Sequence, residues 1–182
     1  ERVLGPDHPH TLAARGNLAA AYWSAGRLEQ AIDLHKKNLT EVLRVLGPDN
    51  PYALISRGNL AAAYESAGRP DEAIDLFERT LEDRERVLGP DHPDTLISRV
   101  GLAAAYESAG RPDEAIGLFE QNLADCERVL GSDDHDTLIS RVGLAFAYQA
   151  AGRPDEAIGL FERALADCER VLGSDDHDTL IS

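Results

Sequence analysis

Residues 57–98 read RGNLAAAYESAGRPDEAIDLFERTLEDRERVLGPDHPDTLIS, and this stretch decides the fold because it recurs. Shifted by its own 42 residues, the sequence aligns Arg15, Arg57, Arg99 and Arg141, then Tyr22, Tyr64, Tyr106 and Tyr148, without insertion. A fixed period of this size marks an array of structural repeats rather than a single globular core. The copies 99–140 and 141–182 differ only at Ala104/Phe146, Glu107/Gln149, Ser108/Ala150, Gln121/Arg163 and Asn122/Ala164, which points to recent duplication. The array is expected to continue beyond both ends.

Within a copy, the stretch from Pro93 to Ala109 predicts a first helix. Leu96, Ala103 and Tyr106, with Arg99 between them, share one face; Pro93 suits the first helical position and Gly110 the residue past the end. Pro112 to Leu130 predicts a second helix. Asp113 and Glu114 sit at the positive end of its dipole, and Ala115, Ile116, Phe119, Leu123 and Leu130 form its apolar stripe. A connection of a residue or two forces the two helices antiparallel. The expected class is all-α, an α-solenoid of antiparallel helix hairpins forming one array over 1–182. The hairpins fall at 9–50, 51–92, 93–134 and 135–176, with a helix tail at 1–4 and a helix stub at 177–182.

These copies resemble tetratricopeptide repeats. The motif L-A-x-x-Y stands at Leu18/Ala19/Tyr22, Leu60/Ala61/Tyr64, Leu102/Ala103/Tyr106 and Leu144/Ala145/Tyr148. The small residue of the second helix follows at Ala31, Ala73, Ala115 and Ala157, and an aromatic at Phe77, Phe119 and Phe161, with His35 in its place in the first copy. The period exceeds the usual length of about 34 residues, and the longer variant is similar to the repeats of kinesin light chains and of large bacterial regulatory proteins. The Arg-rich, Lys-poor, Ala-rich composition leans toward a bacterial source. The resemblance implies a right-handed superhelix whose first helices line a concave, peptide-holding groove.

Position by position, that groove takes in Asn17, Trp23, Ile55, Asn59, Glu65, Ile97, Val100, Glu107, Ile139, Val142, Phe146 and Gln149. Its rows are apolar and weakly acidic and lack Arg, and the only lysines, Lys36 and Lys37, lie on a second helix. A clamp for a peptide carboxylate is therefore disfavoured. Asn17 and Asn59 are replaced by Gly101 and Gly143 in the later copies, so an asparagine ladder is half erased. Trp23 and Phe146 are candidate aromatic anchors. One further departure concerns Arg15, Arg57, Arg99 and Arg141, whose side chains face the partner helix and require an acceptor. Antiparallel geometry offers Glu41, Asp83, Asp125 and Asp167.

Net charge of -15 disfavours nucleic acid, which needs a basic patch, and favours apolar or basic protein partners. No apolar run reaches membrane-spanning length. Cys126 and Cys168 occupy equivalent positions, too far apart for a disulfide, and free thiols fit a cytoplasmic location. The acidic runs Asp133, Asp134, His135, Asp136 and Asp175, Asp176, His177, Asp178 read as helix-capping turns rather than metal sites, and His8, His10 and His92 as solvated connector residues. Neither a phosphate loop nor a nucleophile motif is present, so no catalytic residue, cofactor or metal is expected and the chain is read as non-enzymatic. The leading reading is a protein-binding scaffold. Its rivals are a sensor arm of a larger signalling NTPase, for which the parent gene decides, and a head-to-tail array joining copies through the repeat ends, including Leu180 and Ile181. The array model predicts a mass that grows with concentration in light scattering; a strict monomer at high concentration excludes it.

Overall fold

The computed structural model describes residue 5 and residues 7–172. The expected helix tail at 1–4, the stub at 177–182 and the second acidic run lie outside the described residues. Eight helices are formed among those described: α1 (Pro9–Ser24), α2 (Leu28–Leu46), α3 (Pro51–Ser66), α4 (Pro70–Leu88), α5 (Pro93–Ser108), α6 (Pro112–Val129), α7 (His135–Ala150) and α8 (Pro154–Leu172). Every start coincides with the residue that the period and the prolines indicate. The chain divides into two compact units, 1–87 and 88–182. In the first, α1 packs on α2 and α2 on α3; in the second, α5 packs on α6, α6 on α7 and α7 on α8, with α5 also touching α7.

Three residues, rather than one or two, link the helices of a hairpin. Gly110 adopts φ +70°, which an L side chain resists, and this lets the Arg111 N–H return to the Tyr106 carbonyl at 2.9 Å. The Arg111 guanidinium then lies 4.4 Å from the Tyr106 ring centroid, and its Nη2 sits 2.9 Å from Glu114 of the next turn. Arg27, Arg69 and Arg153 stack on Tyr22, Tyr64 and Tyr148 in the same way. The G-R-P-D-E turn thus packs the motif tyrosine from above.

The connectors before the first helices are caps and clamps. Asn50 and Asp134 accept from the N–H two residues on at 2.9 Å, and His8 and His92 do so through Nδ1. His8 and His92 are therefore capping residues rather than merely solvated ones. The preceding aspartate reaches the end of the second helix of the hairpin that its connector enters: Asp49 to Arg86 at 2.5 Å, Asp91 to Arg128 and Asp133 to Arg170 through both oxygens. Arg170, helped by Ser132, holds the Asp133 carboxyl down at about 2. Sequence reading took these aspartates only as turn residues.

The buried arginines are paired in three hairpins of four. Arg57 reaches Asp83 at 2.5 Å, Arg99 reaches Asp125 at 2.8 Å, and Arg141 reaches Asp167 and, in the preceding helix, Glu127. Each aspartate gives its second oxygen to Arg86, Arg128 or Arg170, so first helix, second helix and connector are joined by one alternating chain of charge. The expected Arg15–Glu41 tie does not form. Glu41 turns Oε2 to both Nε and Nη2 of Arg44, and Arg15 Nη1 has no hydrogen-bond partner.

In the second unit the two hairpins meet through an aromatic ring seated on a glycine. A Cβ built on Gly143 of α7 would lie 2.5 Å from Cε1 of Phe119 in α6. This explains the lost asparagine ladder: where the second helix carries Phe119 the next hairpin carries Gly143, and where it carries His35 the next carries Asn59. Gly143→Asn is expected to cost about 1–3 kcal/mol in urea unfolding, and pairing it with Phe119→His to recover more than about 0.5 kcal/mol as coupling in a double-mutant cycle. Additive effects would show that ring and glycine are independent.

Candidate protein-binding face

One apolar residue near the start of α3, α5 and α7 stays in the open. Ile55, Ile97 and Ile139 are 44%, 53% and 42% exposed, while Leu54 and Leu96 beside them are 1% exposed. A helix that presents a β-branched apolar residue to solvent at the same position of successive copies gains nothing in folding from it. The residues one turn on, Val100 and Val142, are half-buried, as are Glu65 and Glu107 near the ends of α3 and α5. Asn17, Asn59 and Gln149 are exposed.

The aromatic candidates differ in how far they are committed. Trp23 donates its indole N–H to Ser66 Oγ of α3 at 3.0 Å, which fixes the ring between the first two hairpins. Phe146 is half exposed and stands edge-on to Phe161 of α8, 5.1 Å between centroids. Phe146 is thus the freer of the two.

In the second unit the structure brings three candidates, Ile97, Val100 and Ile139, around a cavity of about 120 Å³ whose other walls are Leu96, Asn122, Cys126 and Asp136. Asn122 gives its Nδ2 to Ser140 Oγ at 2.9 Å, and its buried Oδ1 accepts nothing. Burial pushes the Cys126 thiol up; Cys126 and Cys168 are both free. Sequence reasoning had no signal for this cavity, because it depends on α6 residues that the groove rows leave out. Among the described residues no acidic or His/Cys cluster is arranged to hold a metal, since Asp133 and Asp134 are spent on Arg170 and on the cap of α7. No described helix is long and apolar enough to cross a membrane.

The outer helices bear apolar surface of another kind. Leu18 of α1 is 49% exposed where Leu60, Leu102 and Leu144 are 4%, and Ile158 of α8 is 54% exposed where Ile116 is 6%. The head-to-tail expectation falls on these two faces, while Leu180 and Ile181 lie outside the described residues.

Comparison with known proteins accounts for the architecture. The tetratricopeptide repeat family model matches residues 1–40, 26–86, 54–127, 98–170 and 136–182. The chain belongs to the tetratricopeptide repeat family. Two crystal structures of a Podosopora anserina protein, described as a kinesin light chain with nearly identical TPR-like repeats, are 34% identical to it. The form carrying a point substitution covers 94% of this chain and 81% of its own with a TM-score of 0.86, and the other form covers 94% and 82% with 0.83. BtubC (BKLC) of P. vanneervenii is 20% identical over 97% of this chain and 70% of its own, TM-score 0.82, a likeness of fold. No curated protein matches the sequence. Tetratricopeptide repeat proteins mediate protein–protein interactions, and the fold of this chain is that of their helix-hairpin solenoids.

His35 of α2, which stands where later tetratricopeptide copies carry phenylalanine, is buried with Nε2 unpartnered, and burial lowers its pKa from the ordinary 6.5. The unfolded chain therefore takes up a proton near pH 6.5 that the folded chain refuses, so stability rises with pH through the region below 6.5 and levels above it. The paired carboxylates, with Asp133 at about 2, act at lower pH, where their stabilisation is lost as the pH falls. Urea unfolding is expected to weaken between about pH 7 and 5, and the pair His35→Phe with Asn59→Gly to flatten that slope; an unchanged slope would contradict it.

Proposed function

We propose that the chain is a non-enzymatic binding module that holds a segment of a partner protein against its first-helix faces. The observation that carries this is the exposure of Ile97 and Ile139 in the second unit, and of the equivalent Ile55 in the first, on helices where residues beside them are buried. Hydrophobic anchors of this kind supply affinity when a partner covers them, and the hairpin scaffold holds them in place beforehand, so ordering entropy falls on the partner alone.

Charge sets the partner's character. Thirty-three acidic side chains against eighteen basic ones repel acidic segments, and Glu65 and Glu107 stand near the ends of α3 and α5. The expected partner is a protein segment with aliphatic or aromatic anchors and basic rather than acidic flanks. Two free thiols agree with a reducing compartment such as the cytoplasm.

Selection from a random peptide display library tests this. Enriched peptides should be rich in apolar and basic residues, and should bind about ten-fold or more weaker to the double variant Ile97→Glu, Ile139→Glu. Val129→Glu on the second helix, also at an exposed apolar residue, should change nothing. No enrichment, or loss confined to Val129→Glu, would overturn the proposal.

A further inference from the structure

In three hairpins an arginine of the first helix meets a carboxylate of the second; in the first hairpin the arginine is there and the tie is not. Arg57 and Arg99 reach Asp83 and Asp125 through Nη1 at 2.5 and 2.8 Å, and Arg141 reaches Asp167 in the same way. Arg15 stands at the equivalent position of α1. The acid opposite it is Glu41, one methylene longer than aspartate, and its Oε2 lies 2.7 Å from Nη2 of Arg44 instead. Arg15 Nη1 is shut off from water and finds no acceptor. Arg15 is also only half-buried, where Arg57, Arg99 and Arg141 are 8%, 1% and 5% exposed.

The unmet arginine borders a cleft of about 300 Å³ whose other walls, Lys37, Thr40 and Glu41, belong to α2. The second hairpin carries Arg79, Glu82 and Asp83 at those three positions. Thr40 in place of Glu82 removes an acid, and its hydroxyl donates to the Lys36 carbonyl at 2.9 Å. Lys37 is exposed, and its ammonium group pairs with no acid among the described residues. Glu41 is answered by Arg44, so Arg15 and Lys37 line the cleft without a counter-charge. In a chain of net charge -15 this spot is locally cationic.

We propose that the cleft is a seat for a carboxylate group of another molecule, which takes beside Arg15 the part that Asp83 plays beside Arg57. A guanidinium offers a planar fork of N–H donors to such a group, and charge-assisted bonds of this kind are about twice as strong as neutral ones. A guanidinium nitrogen withdrawn from water costs free energy until an acceptor reaches it. Lys37 adds a second cation on the side of the cleft that water already reaches. The seat lies between α1 and α2 rather than on the first-helix face, so it goes beyond the reading above and stands or falls separately.

The probe is acetate, titrated at constant ionic strength into the full chain while the Arg15 Nε–H and Thr40 backbone amide signals are followed by NMR, with acetamide as the uncharged control. Saturable shifts are expected with acetate, and binding about ten-fold or more weaker with acetamide. Glu41→Asp should supply the carboxylate from within, as Asp83 does, and abolish the acetate shifts in a chain that stays folded. Lys37→Gln should weaken acetate binding about two- to five-fold. A blocked aspartate, N-acetylaspartate N-methylamide, separates the sources of the group: binding tighter than acetate marks an acidic side chain of a protein, and weaker binding a free acid. Absence of saturable shifts, an equal response to acetamide, or undiminished acetate binding in Glu41→Asp would overturn the assignment.

Discussion

A two-helix hairpin has more apolar surface than its own two helices can hide, and the neighbouring hairpin has to cover the rest. Everything in this chain follows from that constraint. The second helix carries its stripe, Ala115, Ile116 and Phe119, toward the next first helix, and there Leu144 and Ala145 become core residues by contact with a neighbour. Where no described neighbour stands, the equivalent residues Leu18 and Ile158 remain half exposed. Stability is thus a sum over neighbours, the behaviour expected of repeat arrays.

The same constraint governs the polar groups. Arg99 is 1% exposed, and a guanidinium withdrawn so far from water needs a charged acceptor. Asp125 meets it and passes its other oxygen to Arg128, which grips Asp91 in the connector. The arrangement fixes where the connector leaves the hairpin, which in turn sets the start of the first helix. In the first hairpin, where Glu41 stands in place of the aspartate, the carboxylate turns to Arg44, which also pairs with Asp7, and the link to Arg15 is missing.

Much of this was legible in the sequence. Period, proline positions and glycine stops located all eight helices of the described residues, because those residues act locally on backbone conformation. Three of the four expected arginine–carboxylate ties formed, as expected of a charge forced to face a helix. What escaped notice depends on distance between copies. The connector aspartates find arginines 37 residues on, and the exchange of His35/Asn59 for Phe119/Gly143 has meaning only once ring and glycine are seen in contact. The groove rows identified the exposed isoleucines but not the cavity beneath them, since its floor belongs to the second helix.

Identical scaffolding with unequal surface is the pattern that results. Residues of the helix hairpin such as Leu60, Ala61, Tyr64 and Ala73 recur in every copy, while Trp23, Glu65, Glu107 and Phe146 stand at first-helix positions that vary. The direct test is to label the isoleucine and valine methyls and titrate a selected peptide. The account predicts that Ile55, Ile97 and Ile139 shift or broaden while Val45, Val87 and Val129, exposed on the second helices, stay unmoved. Perturbation of those valines with silent isoleucines would contradict it.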